Sequence, residues 1–508
     1  MNKQHQLIIE KLKQFLEELS AMSVEPKQET VELYIKEVYT EVNSLSNESN
    51  PYFSRHTVLE YLYSLSDIAC GFAEIFEDKF PNPLNALNFR NIELKIAKQY
   101  KSLGGNYFWR DVWEIYIDIS RHYCALNIDS KSLSSAKTAL KLLKKSESCV
   151  DPRNLSYVYK RIAFAYQDIA PDKSITYFNK AADTIIKYNI QNETYNNYLD
   201  IVTNRTNTSI LMYEINQFED SIEMLNKALE NLDIIVKKYG ENETVTYYYA
   251  FVYSVLAKAY FELNEYENCL DNVSSGLVYY EKLSENPSEK ICDTADILYS
   301  TASLALRNQG KYMKALEFQY KILSVWETQE ENFNRSCRIS DIYVDMSIIY
   351  SKYLHEQGLA IESARLSMKE IRPYLSSDNF KSSKKALSTR RRCFLNLADT
   401  YRRSEMLQSS IKTYKEAIAV IKEEFEMESE KISLIYSYAY SLYYLASLYF
   451  KFGSNSEGCK CLSHAYKSVS TIKKYGGYYE LLFNTIHNAL STYDKRFDGK
   501  IIELDKAQ

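Results

Sequence analysis

The sequence contains few residues that interrupt helices. Among its 508 residues there are 12 glycines and 8 prolines, and these two residue types most often mark turns and linkers. The shortage favours long helices. It also excludes a phosphate-binding loop, because no glycine-rich turn is followed by the Gly-Lys-Ser or Gly-Lys-Thr that such a loop requires.

Long apolar runs are also missing. Lys11, Lys13, Glu17 and Glu18 interrupt the first amphipathic stretch, so no signal-peptide core is expected, and no later stretch has the apolar length of a membrane span. The 9 cysteines form no regular framework, which indicates reduced core thiols in a reducing compartment. We therefore expect a soluble, cytoplasmic protein.

The local motifs of common catalytic and metal sites are absent as well. There is no Gly-x-Ser-x-Gly elbow, no His-Glu-x-x-His and no EF-hand loop. Cys459 and Cys461, followed by His464, have the residue types of a zinc site. Residues two apart on a helix point about 200° apart, so these cysteines are poorly placed to share an ion. We predict no enzyme, no cofactor and no metal.

A short pattern recurs along the chain: an apolar residue, a small residue and, three positions after the small one, a tyrosine. With serine allowed at the small position, the markers follow one another at intervals of 44 to 51 residues, which indicates a repeat. Each marker is followed by a short polar turn and a second segment with helical periodicity. The complete pattern occurs as Ile162-Ala163-x-x-Tyr166, Leu256-Ala257-x-x-Tyr260, Leu397-Ala398-x-x-Tyr401 and Leu445-Ala446-x-x-Tyr449, and the markers are Ala163, Ser209, Ala257, Ser303, Ser347, Ala398 and Ala446.

This unit of helix, turn and helix resembles the tetratricopeptide repeat. The units are longer than the family's 34 residues, and stretches without helix breakers, 218–239 and 410–426, place the excess in extended helices. Long-helix variants occur in kinesin light chains and bacterial peptide-sensing regulators. The resemblance implies an all-α fold, a right-handed superhelical solenoid of antiparallel helix pairs. In one unit it rests on Tyr253, Leu256, Ala257, Tyr260, Tyr266, Cys269 and Gly276.

The repeat pattern divides the chain into three parts. Tyr116, Ser120 and Tyr123 repeat the first-helix pattern upstream of Ala163 and predict an eighth unit. We predict an array of about eight long units over 106–475. Residues 1–105 are interpreted as an N-terminal helical region or degenerate repeats, and 476–508 as a capping helix, from about residue 478 to about 493, and a tail.

The resemblance also implies a binding groove, lined by first-helix residues that face inward. The groove residues do not reproduce the family's two-carboxylate clamp. Trp109 and Trp113, four apart on one helix face, are interpreted as core residues and not as a ligand platform. The predicted groove residues are Lys160, Gln167, Thr206, Lys258, Arg307, Arg392, Asp399, Arg402, Tyr443 and Ser447.

A basic patch over 381–403 is a second candidate binding surface. Its arginines could hold carboxylates or phosphates, or they could be neutralised by the acidic run that follows. The net charge of −5 argues against a surface that wraps nucleic acid throughout. The cations are Lys381, Lys384, Lys385, Arg390, Arg391, Arg392, Arg402 and Arg403, and the acidic residues are Glu423, Glu424, Glu426, Glu428 and Glu430.

Three functional hypotheses follow. The leading one is a non-enzymatic module that binds a protein or peptide in the groove, without a membrane partner. The second is a peptide- or partner-responsive regulator of signalling or defence, in which binding changes what the N-terminal region contacts. No helix-turn-helix is recognisable in 1–105, which weakens a DNA-binding version. The third, less favoured hypothesis is nucleic-acid binding through Lys381–Arg403.

Overall fold

The computed structural model describes residues 3–23, 25–47, 55–105, 111–146, 150–283, 287–375, 384–427 and 432–493, and in these residues every regular element is helical. The chain forms two compact units, Met1–Leu263 (unit 1) and Asn264–Gln508 (unit 2). Among the described helices, none is long and apolar enough to cross a lipid bilayer. The proposed division at 105 and 475 stays a prediction.

Unit 1 contains eleven described α-helices and one π-helical turn, Ile75–Lys79. The helices are α1 (Lys3–Ala21), α2 (Gln28–Asn47), α3 (Arg55–Glu74), α4 (Pro83–Ser102), α5 (Val112–Ala125), α6 (Asp129–Ser146), α7 (Pro152–Tyr166), α8 (Pro171–Asn189), α9 (Tyr195–Glu214), α10 (Phe218–Tyr239) and α11 (Glu243–Glu262).

Unit 2 contains ten described α-helices, together with the π-helical segment Ile349–Leu354 and two short 3₁₀ turns, Arg372–Tyr374 and Lys473–Tyr475. The helices are α12 (Tyr266–Glu281), α13 (Glu289–Asn308), α14 (Tyr312–Glu327), α15 (Phe333–Ile348), α16 (Gln357–Ile371), α17 (Lys384–Arg403), α18 (Leu407–Met427), α19 (Ile432–Lys451), α20 (Asn455–Ser470) and α21 (Gly477–Tyr493).

The few prolines and the short polar side chains define where helices begin. Pro83, Pro152 and Pro171 stand in the first turn of α4, α7 and α8, where a missing N–H costs nothing. Thr194 and Asn242 precede α9 and α11, and their side chains accept hydrogen bonds from backbone N–H groups of the first turn. These caps satisfy donors that the helix itself leaves unpaired.

The helices pair as antiparallel hairpins that cross at the small marker residues. In the α7/α8 pair, the Ser174 hydroxyl donates to the Ala163 carbonyl at 2.7 Å and the Ser156 hydroxyl donates to the Ala181 carbonyl at 2.9 Å. Equivalent bonds join α9 with α10, α13 with α14, α15 with α16 and α17 with α18. A side chain larger than Ala or Ser at the marker would separate the two backbones, so the small residue is required by this close approach.

A residue with a left-handed backbone ends the first helix of most pairs. Gly310 and Gly453 have φ of 74°, and Glu405 adopts φ of 58° in the α17/α18 turn. There the Met406 N–H donates to the Tyr401 carbonyl at 2.9 Å, which closes the helix end as in a Schellman-type cap. The predicted polar turns are therefore confirmed.

The extra length of the repeats lies in both helices. The stretches predicted to absorb it form α10, with 22 residues, and α18, with 21. The first helices are long as well: in α9, α11, α13, α15, α17 and α19 the marker lies 14 residues after the first residue. Each first helix therefore extends well before its marker, and this extension carries much of the candidate site.

The first and the last described helices pack into different hydrophobic cores. Helices α1 to α4 bury a core of their own, in which the rings of Phe15 and Tyr34 stack at 3.3 Å and those of Phe72 and Phe89 at 4.8 Å. At the other end α21, predicted to begin near residue 478, packs Ile486 and Leu490 into the core of α19 and α20.

Candidate functional site

The first helices of unit 2 carry a row of alternating charges, which we call the charged ladder. Helices α13, α15 and α17 are the first helices of consecutive pairs, so ion pairs that join them run from one repeat to the next. The charged ladder consists of Asp293, Asp296, Arg338, Asp341, Asp345, Arg392, Asp399 and Arg402.

The first set of contacts joins α15 to α13. The Arg338 guanidinium lies 2.6 Å from Asp293 and 3.7 Å from Asp296, and its centre is 5.6 Å from the Trp326 ring. The Trp326 indole N–H donates to Asp296 at 3.1 Å. Burial raises the pKa of Asp296 to about 6, although Arg338 and the indole N–H oppose this rise.

The second set joins α17 to α15. Arg392 places one guanidinium nitrogen 2.7 Å from Asp341 and the other 3.2 Å from Asp345. Burial raises the pKa of Asp345, while Arg392 and Arg307 act to lower it. The Arg392 side chain is still 41% exposed, so its charge is positioned by two carboxylates without being closed off from solvent.

The third set centres on Asp399 and joins α17 to α18 and α19. Arg402 donates to Asp399 at 3.1 Å and 3.2 Å, and the hydroxyl of buried Tyr414 also donates to this carboxylate. The Tyr440 hydroxyl donates to its other oxygen at 2.7 Å. The Arg402 guanidinium lies 4.2 Å from the centre of the Tyr444 ring, a cation–π distance.

A titration of Asp296 should be visible in Trp326. The folded pKa of about 6 exceeds the usual 3.8, so the fold favours the protonated form, and stability falls as the pH rises from about 4 through about 6. A shift of this size is worth about 3 kcal/mol. We expect Asp296→Asn to remove this part of the pH dependence of unfolding by urea. Trp326 is the one tryptophan of unit 2, and its fluorescence reports the transition.

A pH titration of the fluorescence of the native protein provides the control. Wild-type Trp326 emission should change with a midpoint near pH 6, and this change should disappear in Asp296→Asn. A midpoint near the usual aspartate pKa would contradict the buried environment assigned to Asp296.

The remaining predicted residues of unit 2 have different surroundings. The Arg307 guanidinium lies 5.8 Å from the Tyr353 ring centre, and its charge acts on the carboxylate of Asp345. Tyr443 and Ser447 line a pocket of 410 Å³ between α19, α20 and α21. Arg392, Asp399 and Arg402 belong to the charged ladder itself.

The predicted residues of unit 1 have separate surroundings. The Lys160 ammonium lies 3.6 Å from Asp200, and the Lys258 ammonium lies 4.8 Å from the Tyr213 ring centre. Gln167 follows α7 and is half-buried. Thr206 is 1% exposed and its hydroxyl donates to the Val202 carbonyl. Because Thr206 is buried and its hydroxyl is hydrogen-bonded within α9, it is not part of the proposed binding face.

Most described arginines of the basic patch are paired with carboxylates. Arg390 lies 2.6 Å from Glu423 and Arg391 lies 3.2 Å from Glu424. These two contacts agree with the alternative in which the acidic run neutralises the patch. Arg392 and Arg402 are in the charged ladder. Residues Trp109, Lys381, Glu428 and Glu430 and the side chains of Lys384 and Lys385 lie outside the described parts of the structure, whereas Trp113 is buried in the core of α5 to α7.

Unit 1 contains a buried charge cluster that the sequence patterns did not indicate. Arg90, 3% exposed, lies 3.0 Å from Glu77, 2.9 Å from Glu93 and 3.7 Å from Asp118. Burial alone would raise the pKa of Glu77, but hydrogen bonds from His122 and Arg90 lower it to about 2. Glu77 stands in the π-helical turn after α3. The buried charge cluster consists of Glu77, Arg90, Glu93, Asp118, Arg121 and His122.

Sequence reasoning also missed the ladder residues of α13 and α15. The predicted groove positions lay near each marker, whereas Asp293, Asp296, Arg338 and Asp341 lie in the N-terminal extensions of the first helices. The available signal was the position of Asp341 and Arg392, each six residues before its marker. Among the described residues, no group of three His, Cys, Asp or Glu side chains could hold a metal ion.

The helix pairs are tetratricopeptide-like. The pairs α7/α8, α9/α10, α13/α14, α15/α16 and α17/α18 each cross at a small marker residue, as the resemblance implied. No protein-family model matches the sequence, and no curated protein matches it.

Solved structures of similar fold share little sequence with the chain. The apo form of RapI is 14% identical, with a TM-score of 0.48, over 83% of this chain and 99% of its own. A STAND protein with a tetratricopeptide repeat sensor from Pyrococcus horikoshii is 11% identical, with a TM-score of 0.41, over 86% and 72%. The repeats of a putative kinesin light chain from Podosopora anserina are 12% identical, with a TM-score of 0.33, over 45% and 97%.

Proposed function

We propose that the chain is a non-enzymatic interaction module that binds a protein or peptide on the first-helix face of unit 2. The observation that carries this proposal is the charged ladder, in which arginines are held by carboxylates and still reach solvent. Asp293 and Arg392 are 40% and 41% exposed. Groups that are positioned before binding lose less conformational entropy when a partner arrives.

The chemistry of the ladder favours a partner segment with charges of both signs. A guanidinium carries five N–H donors, so Arg392, which contacts Asp341 and Asp345, retains N–H groups that can bind a carboxylate of the partner. Each exposed aspartate can bind a lysine or arginine of the partner. Beside the ladder, half-buried Tyr443 and Tyr444 offer rings with polar tips, the type of side chain that most often anchors an interface. Arg307 and Ser447 complete the proposed face, whereas Lys160, Gln167 and Lys258 stay predicted binding residues of unit 1.

The test is a selection of phage-displayed random peptides against the full chain, followed by affinity measurement on variants. The ladder variant combines Arg338→Gln with Arg392→Gln. It removes two guanidinium groups from the first-helix face of unit 2. We expect ladder-bound peptides to lose affinity by about tenfold or more, which corresponds to about 1.4 kcal/mol. Binding is measured by fluorescence anisotropy, and the thermal unfolding of each variant is recorded beside it.

A matched control neutralises two exposed lysines of unit 1, Lys141→Gln with Lys187→Gln, which lie on α6 and α8. Selected peptides should bind this control as they bind wild type. If every selected peptide binds the ladder variant with unchanged affinity, the assignment of the first-helix face is wrong.

The two other hypotheses stay predictions. A partner-responsive regulator would use the same face and would differ in coupling binding to a change elsewhere in the chain. Nucleic-acid binding through Lys381–Arg403 receives less support, because Arg390, Arg391, Arg392 and Arg402 each have a carboxylate partner.

A further inference from the structure

A second surface of unit 2, which we call the second-helix groove, lies between α16 and α18. Its floor is formed by α17, and its volume is 740 Å³. Four cations surround it: Arg365 and Lys369 on α16, Arg372 just after α16, and Lys412 on α18. Glu416 is the one acidic side chain among its lining residues.

The cations of the groove differ from the other arginines of this region. In the described parts of the chain, Arg365, Lys369, Arg372 and Lys412 make no ion pair, whereas the arginines of the basic patch that face α15 and α18 are paired. Arg365, Lys369 and Arg372 are spaced by four and three residues, and Arg372, which follows α16 directly, keeps a helical backbone conformation, so the three lie on one side. The groove therefore presents four cations that make no ion pair within the described residues.

The interior of the groove is largely apolar. Met368, Phe394 and Leu397 line it together with Tyr401, and all four are half-buried. The Arg365 side chain is oriented by the floor, because its Nε donates to the Tyr401 hydroxyl at 3.3 Å and its guanidinium lies 5.9 Å from the ring centre. A ligand would meet a positioned cation above a surface that can accept an apolar side chain.

We propose that the second-helix groove binds an acidic segment of a partner protein, with an apolar side chain of that segment on the floor. Carboxylates of the segment complement the four cations, and burial of its apolar side chain adds contact that charge alone does not provide. Glu416 on the rim disfavours a continuous phosphate backbone, whereas a peptide can place a neutral residue beside it. An acidic peptide therefore fits the groove better than a nucleic acid.

The groove and the charged ladder lie on opposite sides of α17. At 100° per residue, Phe394, Leu397 and Tyr401 point away from the side that holds Arg392 and Asp399. The groove proposal consequently does not depend on the proposed function of the ladder. Variants of one face leave the other unchanged.

The experiment measures the anisotropy of a fluorescein-labelled synthetic peptide in which glutamates alternate with serines around a central leucine. The proteins are wild type, the groove variant Lys369→Glu with Lys412→Glu, and the control variant Lys141→Glu with Lys187→Glu. We expect the groove variant to bind about tenfold or more weakly, because two attractive contacts become repulsive. The control carries the same change of net charge and should bind as wild type does.

Three further arms complete the test. Replacing the central leucine of the peptide by serine should weaken binding to wild type, and added salt should weaken it further, since exposed charges are screened. A single-stranded RNA oligonucleotide should bind wild type more weakly than the peptide. Equal peptide binding by wild type and the groove variant, no peptide binding at all, or tighter RNA binding that the groove variant loses would each overturn the proposal. The exchanged lysines are exposed, and circular dichroism of each variant is recorded to check that it is folded.

Discussion

We expect Arg90→Met to lower the free energy of unfolding of unit 1 by about 3–5 kcal/mol, the range for removal of one partner from a buried ion pair. Arg90 is 3% exposed and lies within 3.0 Å of both Glu77 and Glu93. Methionine fills a similar volume but cannot compensate the carboxylates. They would remain charged in a buried site or take up protons, and both outcomes cost stability.

The measurement is urea unfolding followed by tryptophan fluorescence in a Trp326→Phe background, so that the signal comes from Trp109 and Trp113 of unit 1. The control is Arg153→Met, which removes the exposed cation of an ion pair with Asp151. That pair is exposed and screened by solvent, so its loss should change stability far less. Similar losses in both variants would contradict the buried role of Arg90.

The pH dependence of the Arg90 effect has a defined sign. In wild type the folded pKa of Glu77 is about 2, below its usual 4.5, so Glu77 stabilises the fold above about pH 4.5 and loses this contribution as the pH falls towards 2. Without Arg90 the pKa of Glu77 rises. The difference between wild type and variant should therefore shrink on acidification, and a constant difference would show that packing and not charge is responsible.

We expect Asp399→Ala to lower the free energy of unfolding of unit 2 by about 2–4 kcal/mol, because each buried donor left without an acceptor costs about 1–3 kcal/mol. Asp399 accepts hydrogen bonds from Arg402, Tyr414 and Tyr440. Tyr414 is fully buried, so its hydroxyl cannot turn to solvent. Burial raises the pKa of both tyrosines, and the neighbouring carboxylate raises it further.

Unfolding of unit 2 is followed through Trp326. Asp399→Asn retains a carbonyl acceptor and should lower the free energy of unfolding less than Asp399→Ala does. Tyr440→Phe removes one of the donors and leaves no unpaired hydroxyl, so it should have the smallest effect. A matched surface control is Glu416→Ala, an exposed side chain of α18. If Asp399→Ala and Glu416→Ala unfold alike, Asp399 does not organise the contacts between α17, α18 and α19.

The Asp399 result also bears on the binding face. The sequence pattern predicted Asp399 and Arg402 as partner-binding residues, and the structure places both in the charged ladder with Arg402 positioned by Asp399. A loss of peptide affinity in Asp399→Ala alone would therefore not separate lost contact from lost positioning. Arg338→Gln with Arg392→Gln avoids this ambiguity, because those arginines lie outside the Asp399 contacts.

Local patterns predicted the helix pairs well. The small markers, the polar turns and the three- and four-residue periodicity all act within one repeat, so they specify the pairing of α7 with α8 or α17 with α18 directly. Even the last helix, expected from about residue 478, was found at Gly477–Tyr493. The pattern failed at Thr206, because a position that faces a groove in one repeat can be buried in another when its hydroxyl finds a backbone acceptor.

The repeated tyrosine shows where a structural reading was incomplete. The pattern ending in Tyr401 marks a helix crossing, because Ala398 is fully buried where α17 and α18 meet. Leu397 and Tyr401, however, also line the second-helix groove. Leu397 and Tyr401 are only half-buried, so part of each side chain packs within the repeat and part lines the groove. The periodicity of a single helix cannot distinguish these two roles.

The sequence by itself determined the elements of this protein: long helices, their pairing at small residues and the absence of local catalytic motifs. The tertiary structure decided which charges are neutralised. Arg390 meets a carboxylate 33 residues away and Arg392 meets one 51 residues away, while the cations of the second-helix groove have no ion-pair partner within the described residues. The physical reason is that charge pairing depends on which faces of neighbouring repeats meet. That register is set by packing between pairs and not by the pattern within any one helix.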